Sequence, residues 1–209
     1  MLPGLEAEER REDLGQFYTP PELADFAWSW AKAGGSHASV LEPSAGDGAL
    51  LKAVMRSPGF CWRATAVEID PRRIEALSAL RDAGNHVRLN VASADFLTFP
   101  TFGERWELGF SNPPYEGREI FATEHLERAA QVCDRVVAIL QNQLLHGQAR
   151  AKFWRLHDIT RGVWLTRRWS FGQTEKSRYG ERDFCLVELR KRQRPREAGE
   201  SMACSWEWW

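Results

Sequence analysis

The stretch Ser111-Asn112-Pro113-Pro114-Tyr115 sets an amide side chain, a backbone carbonyl and an aromatic ring beside one another. The apolar run Trp106 to Phe110 ahead of it reads as a short strand, and two consecutive prolines forbid its continuation. The chain must break where these groups are presented. The Asn112 amide oxygen and the Pro113 carbonyl can both accept hydrogen bonds from an exocyclic NH2, while Tyr115 stacks on the attached ring. That arrangement suits a base drawn out of its stack.

Three further groups could serve such chemistry. Ser44-Ala45-Gly46-Asp47-Gly48 follows the short strand Ser39 to Pro43 and turns into a helix, so a ligand could approach its backbone closely. Leu51 takes the place of a third glycine, so the full dinucleotide fingerprint is not met. Glu68, near the end of a second strand (Trp62 to Ile69), is placed to accept both hydroxyls of a ribose. A third strand is expected over His86 to Asn90; after it, Asp95 can accept from an adenine amino group and Phe96 can pack on the ring.

The positioning elements follow from periodicity. Thr19 is expected to cap a helix over Pro20 to Lys32, with Pro20 at its first position and Glu22 completing a capping box. Helix N-termini with free amides also receive carboxylates well. Further helices are expected from Pro71 through Ala83 and from Glu119 to Val132. A buried fifth strand is expected over Arg135 to Leu140, and two more over Ile159 to Arg168 and Phe184 to Leu189. Alternating strands and helices with ligand motifs at strand ends predict a doubly wound sheet whose site lies along the strands' carboxyl edge.

The chain of 209 residues is long enough for one domain with a full core. No apolar run of about 18 residues is present to span a membrane, and no basic-then-apolar leader opens the chain, so a cytoplasmic protein is expected. Four scattered cysteines and five scattered histidines give no metal spacing, and no metal is expected. Between Arg161 and Arg196, eleven Lys/Arg stand against four Asp/Glu, the balance a polyanion-binding face needs. Within that stretch, Trp169 to Tyr179 interleaves aromatic and basic residues, which suits a loop touching nucleic acid. Residues 1–15 are expected to form a flexible acidic arm, and 191–209 a mostly disordered tryptophan-rich tail.

The set Phe17-Tyr18-Thr19-Pro20, Leu41-Glu42-Pro43-Ser44-Ala45-Gly46-Asp47-Gly48, Val67-Glu68-Ile69-Asp70, Ala94-Asp95-Phe96 and Ser111 to Tyr115 resembles the S-adenosylmethionine-dependent adenine-N6 DNA methyltransferases. The motif order matches, and Trp169 to Val187 is similar to the C-terminal part of small phage-type members. The resemblance spans residues 16 to about 190. It implies an α/β fold: a single Rossmann-like class I methyltransferase domain with a mostly parallel seven-stranded sheet and an antiparallel last strand. It implies that Tyr18, Thr19 and Pro20 hold the methionine end of S-adenosyl-L-methionine, near Glu42 and the Pro43 to Gly48 turn. Glu68 and Ile69 would meet the ribose side, and Asp95 with Phe96 the adenine. Asn112, Pro113, Pro114 and Tyr115 would take the target amine and base. Trp169 or Phe171 would supply the second stacking face, with Lys176 and Arg178 near the nucleic acid. DNA is the implied partner, and a restriction partner is left open. Structured RNA adenines, protein glutamine side chains, and a non-catalytic nucleic-acid-binding module of the same fold are the competing readings.

Overall fold

The computed structural model describes residues 19–35, 37–82, 86–115, 121–167, 169, 183–197, 199–201 and 204–209. Its elements in chain order are α1 (Pro21–Ala33), β1 (Ser39–Glu42), α2 (Ala49–Met55), β2 (Arg63–Glu68), α3 (Pro71–Asp82), β3 (Arg88–Ser93) and β4 (Trp106–Ser111). They continue with α4 (Phe121–Val132), β5 (Cys133–Gln141), two short 3-10 turns, α5 (Ala151–Leu156), β6 (His157–Leu165), β7 (Phe184–Lys191) and β8 (Ser205–Trp208). One sheet holds all eight strands in the order β3-β2-β1-β4-β5-β7-β6-β8. β7 runs antiparallel to both β5 and β6, and every other pairing is parallel.

Period-two alternation buries both faces of this sheet. Val40, Leu108, Val137 and Ile139 face one apolar layer, which α1 and α2 cover through Leu23, Ala27, Trp28, Leu50 and Val54. Leu41, Val136, Ala138 and Leu140 face the other, covered by Leu126 and Ala129 of α4 and Phe153 and Trp154 of α5. The helices are thereby fixed on either side of the sheet, which leaves the strands' carboxyl edge for the loops.

Four expectations need correction. The third strand lies at Arg88–Ser93, later than His86 to Asn90, because it pairs along all of β2; the register sets Ser93 beside Glu68 and so brings Asp95 to the same edge. Thr19 does not cap α1. Pro20 holds that position with extended backbone (φ −56°, ψ 139°), Pro21 starts the helix, and no side chain caps it. The sheet has eight strands instead of seven, and the tail residues 205–208 are ordered as the added edge strand on β6. Trp206 lies over Gly162, where a Cβ would meet its ring at 2.6 Å, and stacks on Trp164 at 4.4 Å. Trp209 stacks between Phe26 (3.7 Å) and Trp169 (5.6 Å). Aromatic packing of this extent supplies the burial that ordering a tail requires.

The fourth concerns where the basic stretch lies. β7 starts at the carboxyl edge, where Phe184 opposes Gln141, and runs to the opposite edge. Arg192, Arg194 and Arg196 therefore lie far from the glycine turn. They are also committed: Arg192 to Asp158 and Glu200, Arg194 to Glu197 and Glu200, and Arg196 to Asp158. Arg161 pairs with the buried Glu188, and Arg167 with Glu22. These pairings neutralise part of the surplus, while Arg168, Lys176, Arg178 and Arg182 lie outside the described residues.

Candidate active site

The glycine turn is held by backbone geometry that side chains resist. Gly46 (φ 55°) and Gly48 (φ 76°) are both left-handed, and a Cβ on Gly48 would sit 2.7 Å from Leu80. The Ala45 N–H donates to the Val67 carbonyl at 3.0 Å, so the turn is tied to the end of β2. Glu68 tightens the same join. Its Oε2 accepts from the Gly46 N–H at 2.6 Å and its Oε1 from the Asp70 N–H at 2.8 Å. A carboxylate offers about four acceptor directions, so each Glu68 oxygen retains capacity for a ligand hydroxyl.

A cleft open to solvent runs along this edge. Thr19, Glu42, Pro43, Ser44, Ala45 and Gly46 line one part of it. Glu68, Ile69, Asp95, Phe96, Asn112 and Pro114 complete the predicted set that lines it. Gly48 caps the start of α2, Pro20 immediately precedes α1, and Pro113 is buried; none of the three lines the cleft. Asp95 Oδ1 accepts from the Leu97 N–H at 2.9 Å, which shapes the loop after β3. Phe96 is buried and tilts against His125 at 6.0 Å, so it supports the cleft wall from the core. Ile69 is 53% exposed at the rim, an apolar surface suited to a flat ring.

At the other end, Asn112 is held from several sides. The Ser44 hydroxyl donates to its carbonyl at 3.1 Å, and its side-chain Nδ2 donates to Thr19 Oγ1 at 3.1 Å. The Tyr115 hydroxyl lies 3.0 Å from Asn112 Oδ1 and 2.5 Å from the Ile139 carbonyl, and its single proton is shared between them. The Tyr115 ring meets Phe184 edge-on at 6.2 Å.

Glu42 carries the clearest electrostatic signal. It is 3% exposed, and burial, with Asp47 nearby, pushes its carboxyl well above the usual carboxylate range. The Leu51 N–H supports the ionised form, yet Oε2 has no hydrogen-bond partner. A buried carboxylate oxygen without a partner, on the wall of a cleft, fits a cationic ligand group. Because the folded state favours protonated Glu42, its contribution to stability is present below the unfolded pKa and lost as pH rises through the folded one. Glu42→Gln is therefore expected to raise the melting temperature of the ligand-free protein at pH 7, by about 2–4 °C per kcal/mol relieved. The same change should weaken S-adenosylmethionine binding; calorimetry and thermal unfolding on one sample check both signs.

Trp169 is buried, stacked on Trp209 with the Arg167 guanidinium 4.4 Å over its ring, so its faces are already engaged. Tyr18, Phe171, Lys176 and Arg178 lie outside the described residues. Sequence reasoning passed over Arg73, Phe121 and His125, which also line the cleft. Phe121 and His125 stand one turn apart on α4, with rings 4.7 Å apart, and that four-residue spacing was the available signal. His125 Nδ1 pairs with the Phe121 carbonyl at 3.1 Å, and burial lowers its pKa. Among the described residues, no group of His, Cys, Asp and Glu is placed to hold a metal, and no helix is long and apolar enough to cross a membrane.

This strand order and helix placement are the Rossmann-like class I methyltransferase fold. The full-length likeness comes from solved structures. A provisionally assigned class I S-adenosylmethionine-dependent methyltransferase of Listeria monocytogenes superposes over 98% of this chain and 69% of its own, with TM-score 0.67 and 13% identity. A modification subunit of a provisionally assigned type I restriction enzyme from Vibrio vulnificus covers 96% of this chain and 52% of its own, with TM-score 0.62 and 15% identity. In sequence, a type II methyltransferase of Thermus thermophilus is 34% identical over 115 residues, which are 54% of this chain. That match spans 24% of the relative's length. No family model matches the chain.

Proposed function

We propose that this chain transfers a methyl group from S-adenosyl-L-methionine to the exocyclic N6 amine of adenine in DNA, acting on a base flipped from its stack. One observation carries the reading. Asn112 and Pro114 line the same cleft as the glycine turn, Glu42, Glu68 and Asp95, and the Tyr115 hydroxyl lies 3.0 Å from Asn112 Oδ1. The similarity of 115 of its residues to a type II methyltransferase supports DNA as the substrate.

Glu42 would face the charged methionine end, Glu68 would accept from the ribose hydroxyls, and Asp95 would accept from the cofactor's adenine amine. The bound cofactor supplies an activated methyl on a sulfonium centre, so the chain needs no covalent nucleophile. Its own task is the amine. An adenine N6 lone pair is delocalised into the ring, and acceptors at Asn112 Oδ1 and the Pro113 carbonyl favour the pyramidal form that develops during transfer. Nitrogen gains the methyl carbon, the C–S electron pair stays on sulfur, and one N–H proton leaves to water. Tyr115 stacks on the base, and alignment of the reacting atoms contributes roughly 7–11 kcal/mol in well-oriented cases. Flipping costs less in single-stranded or distorted DNA than in an intact duplex.

The test is transfer of labelled methyl from S-adenosylmethionine to unmethylated DNA, with structured RNA and glutamine-bearing protein as parallel substrates. Label in N6-methyladenine from DNA is the expected result. Label confined to RNA adenine or protein glutamine moves the chain to that class. Cofactor binding without transfer to any of them leaves a binding module.

A further inference from the structure

Resting on the cofactor reading above, we propose that His125 is a specificity-determining residue, whose Nε2 accepts one proton of the cofactor's adenine amine while Asp95 accepts the other. The hydrogen bonding of the ring leaves Nε2 a single role. Nδ1 lies 3.1 Å from the Phe121 carbonyl, which can only accept, so Nδ1 carries the proton. Turning the ring over would set a carbon against that carbonyl and lose the bond. Burial is the largest influence on the ring and lowers its pKa; the Phe121 carbonyl and the Asp95 and Glu124 carboxylates oppose that shift without reversing it. A neutral ring with its proton on Nδ1 offers only a lone pair at Nε2.

That lone pair is available to a ligand. His125 is 5% exposed and lines the cleft, and its Nε2 has no hydrogen-bond partner among the described residues. Nor is it sealed in the core, as His157 Nε2 is. Its neighbours fix the ring, which stands edge-on to Phe121 at 4.7 Å and tilts against Phe96 at 6.0 Å. Phe96 directly follows Asp95, which lines the same cleft. Asp95 Oδ1 accepts from the Leu97 N–H at 2.9 Å, and its Oδ2 accepts from no described residue. Arg73, the guanidinium in the lining, is directed to Asp70 at 3.7 Å. Two side-chain acceptors therefore meet the cleft from different elements, the loop after β3 and α4. An exocyclic amine has a proton for each, whereas an oxo group in its place would set oxygen against both. Such a pair reads the amine and refuses the oxo group.

Calorimetry with S-adenosylhomocysteine, and with its analogue carrying hydrogen in place of the exocyclic amine, tests this without turnover. His125→Phe keeps an aromatic ring beside Phe96 and Phe121 but has no acceptor. It should weaken S-adenosylhomocysteine about tenfold and the amine-free analogue about twofold or less. Equal losses with the two ligands, or no loss with either, overturn the proposal, because a ring that only shapes the wall treats both alike. The oxo counterpart should bind the native protein about a hundredfold or more weakly than S-adenosylhomocysteine, and His125→Phe should narrow that gap about tenfold. An unchanged gap also overturns the proposal. Nitrogen NMR of the native protein needs no variant. Nδ1 should carry the proton, and the bare Nε2 signal should move further on adding S-adenosylhomocysteine than on adding the amine-free analogue. A proton on Nε2 overturns the proposal. A native protein that does not bind S-adenosylhomocysteine overturns the cofactor reading and this inference with it, whereas binding with equal losses overturns this inference alone.

Discussion

Asn112→Ala should cut turnover by about a hundredfold or more while leaving S-adenosylmethionine affinity within about threefold, the range seen when a group acting mainly on the transition state is removed. The side chain faces two neighbours, Thr19 and Tyr115, and both can find replacements: Thr19 in water from the open cleft, Tyr115 in the Ile139 carbonyl at 2.5 Å. The fold should therefore tolerate the change, with a melting temperature moved by only a few degrees. In the proposed reaction the change removes the acceptor for the amine, which matters most as nitrogen becomes pyramidal and its N–H groups more acidic. Single-turnover transfer with saturating cofactor, beside calorimetric binding, separates the two effects. Intact turnover with lost cofactor affinity would move Asn112 from the amine to the cofactor subsite.

The turns of the site were legible because their chemistry is local. Gly46 and Gly48 declare a left-handed turn, and Pro113-Pro114 declares a strand end, whatever surrounds them. Buried strands such as β5 also declare themselves by continuous apolar residues. What failed depended on partners distant in sequence. Thr19 before two prolines has the local signature of a cap, yet its hydroxyl is spent on Asn112 across the site. Trp206 and Trp209 show no periodicity, but Gly162, Phe26 and Trp169 provide places for their rings.

A charge count could not reveal that Asp158 and Glu200 neutralise the arginines after β7. Nor could it show that the reversed strand carries those arginines away from the cleft. For the proposed DNA substrate, Arg190 to Arg196 are poor positions at which to seek the positive potential that a phosphate backbone needs.

Glu68→Ala should show the opposite pattern from Asn112→Ala. Cofactor affinity should fall by about a hundredfold or more, while turnover at saturating cofactor stays within about fivefold. Two hydrogen bonds from ribose hydroxyls to a carboxylate are worth about 1.5 kcal/mol each at the low end, and about 1.4 kcal/mol is a factor of ten. The loss also reaches the protein itself. Glu68 is 4% exposed and accepts from the Gly46 and Asp70 N–H groups at 2.6 and 2.8 Å, so alanine leaves two amides without their acceptor at the glycine turn. Each such group costs about 1–3 kcal/mol when buried, and a lower melting temperature should accompany the weaker binding.

Glu68→Gln separates these contributions. One amide oxygen can still serve one backbone N–H, but the NH2 group faces the other as donor to donor. Its stability should lie between native and alanine, with cofactor affinity close to that of alanine if the ribose requires both oxygens. Affinity that follows stability through the series would mean that Glu68 acts by holding the turn and not by touching the ligand. Affinity lost in Glu68→Gln with most stability retained would place the carboxylate on the ribose.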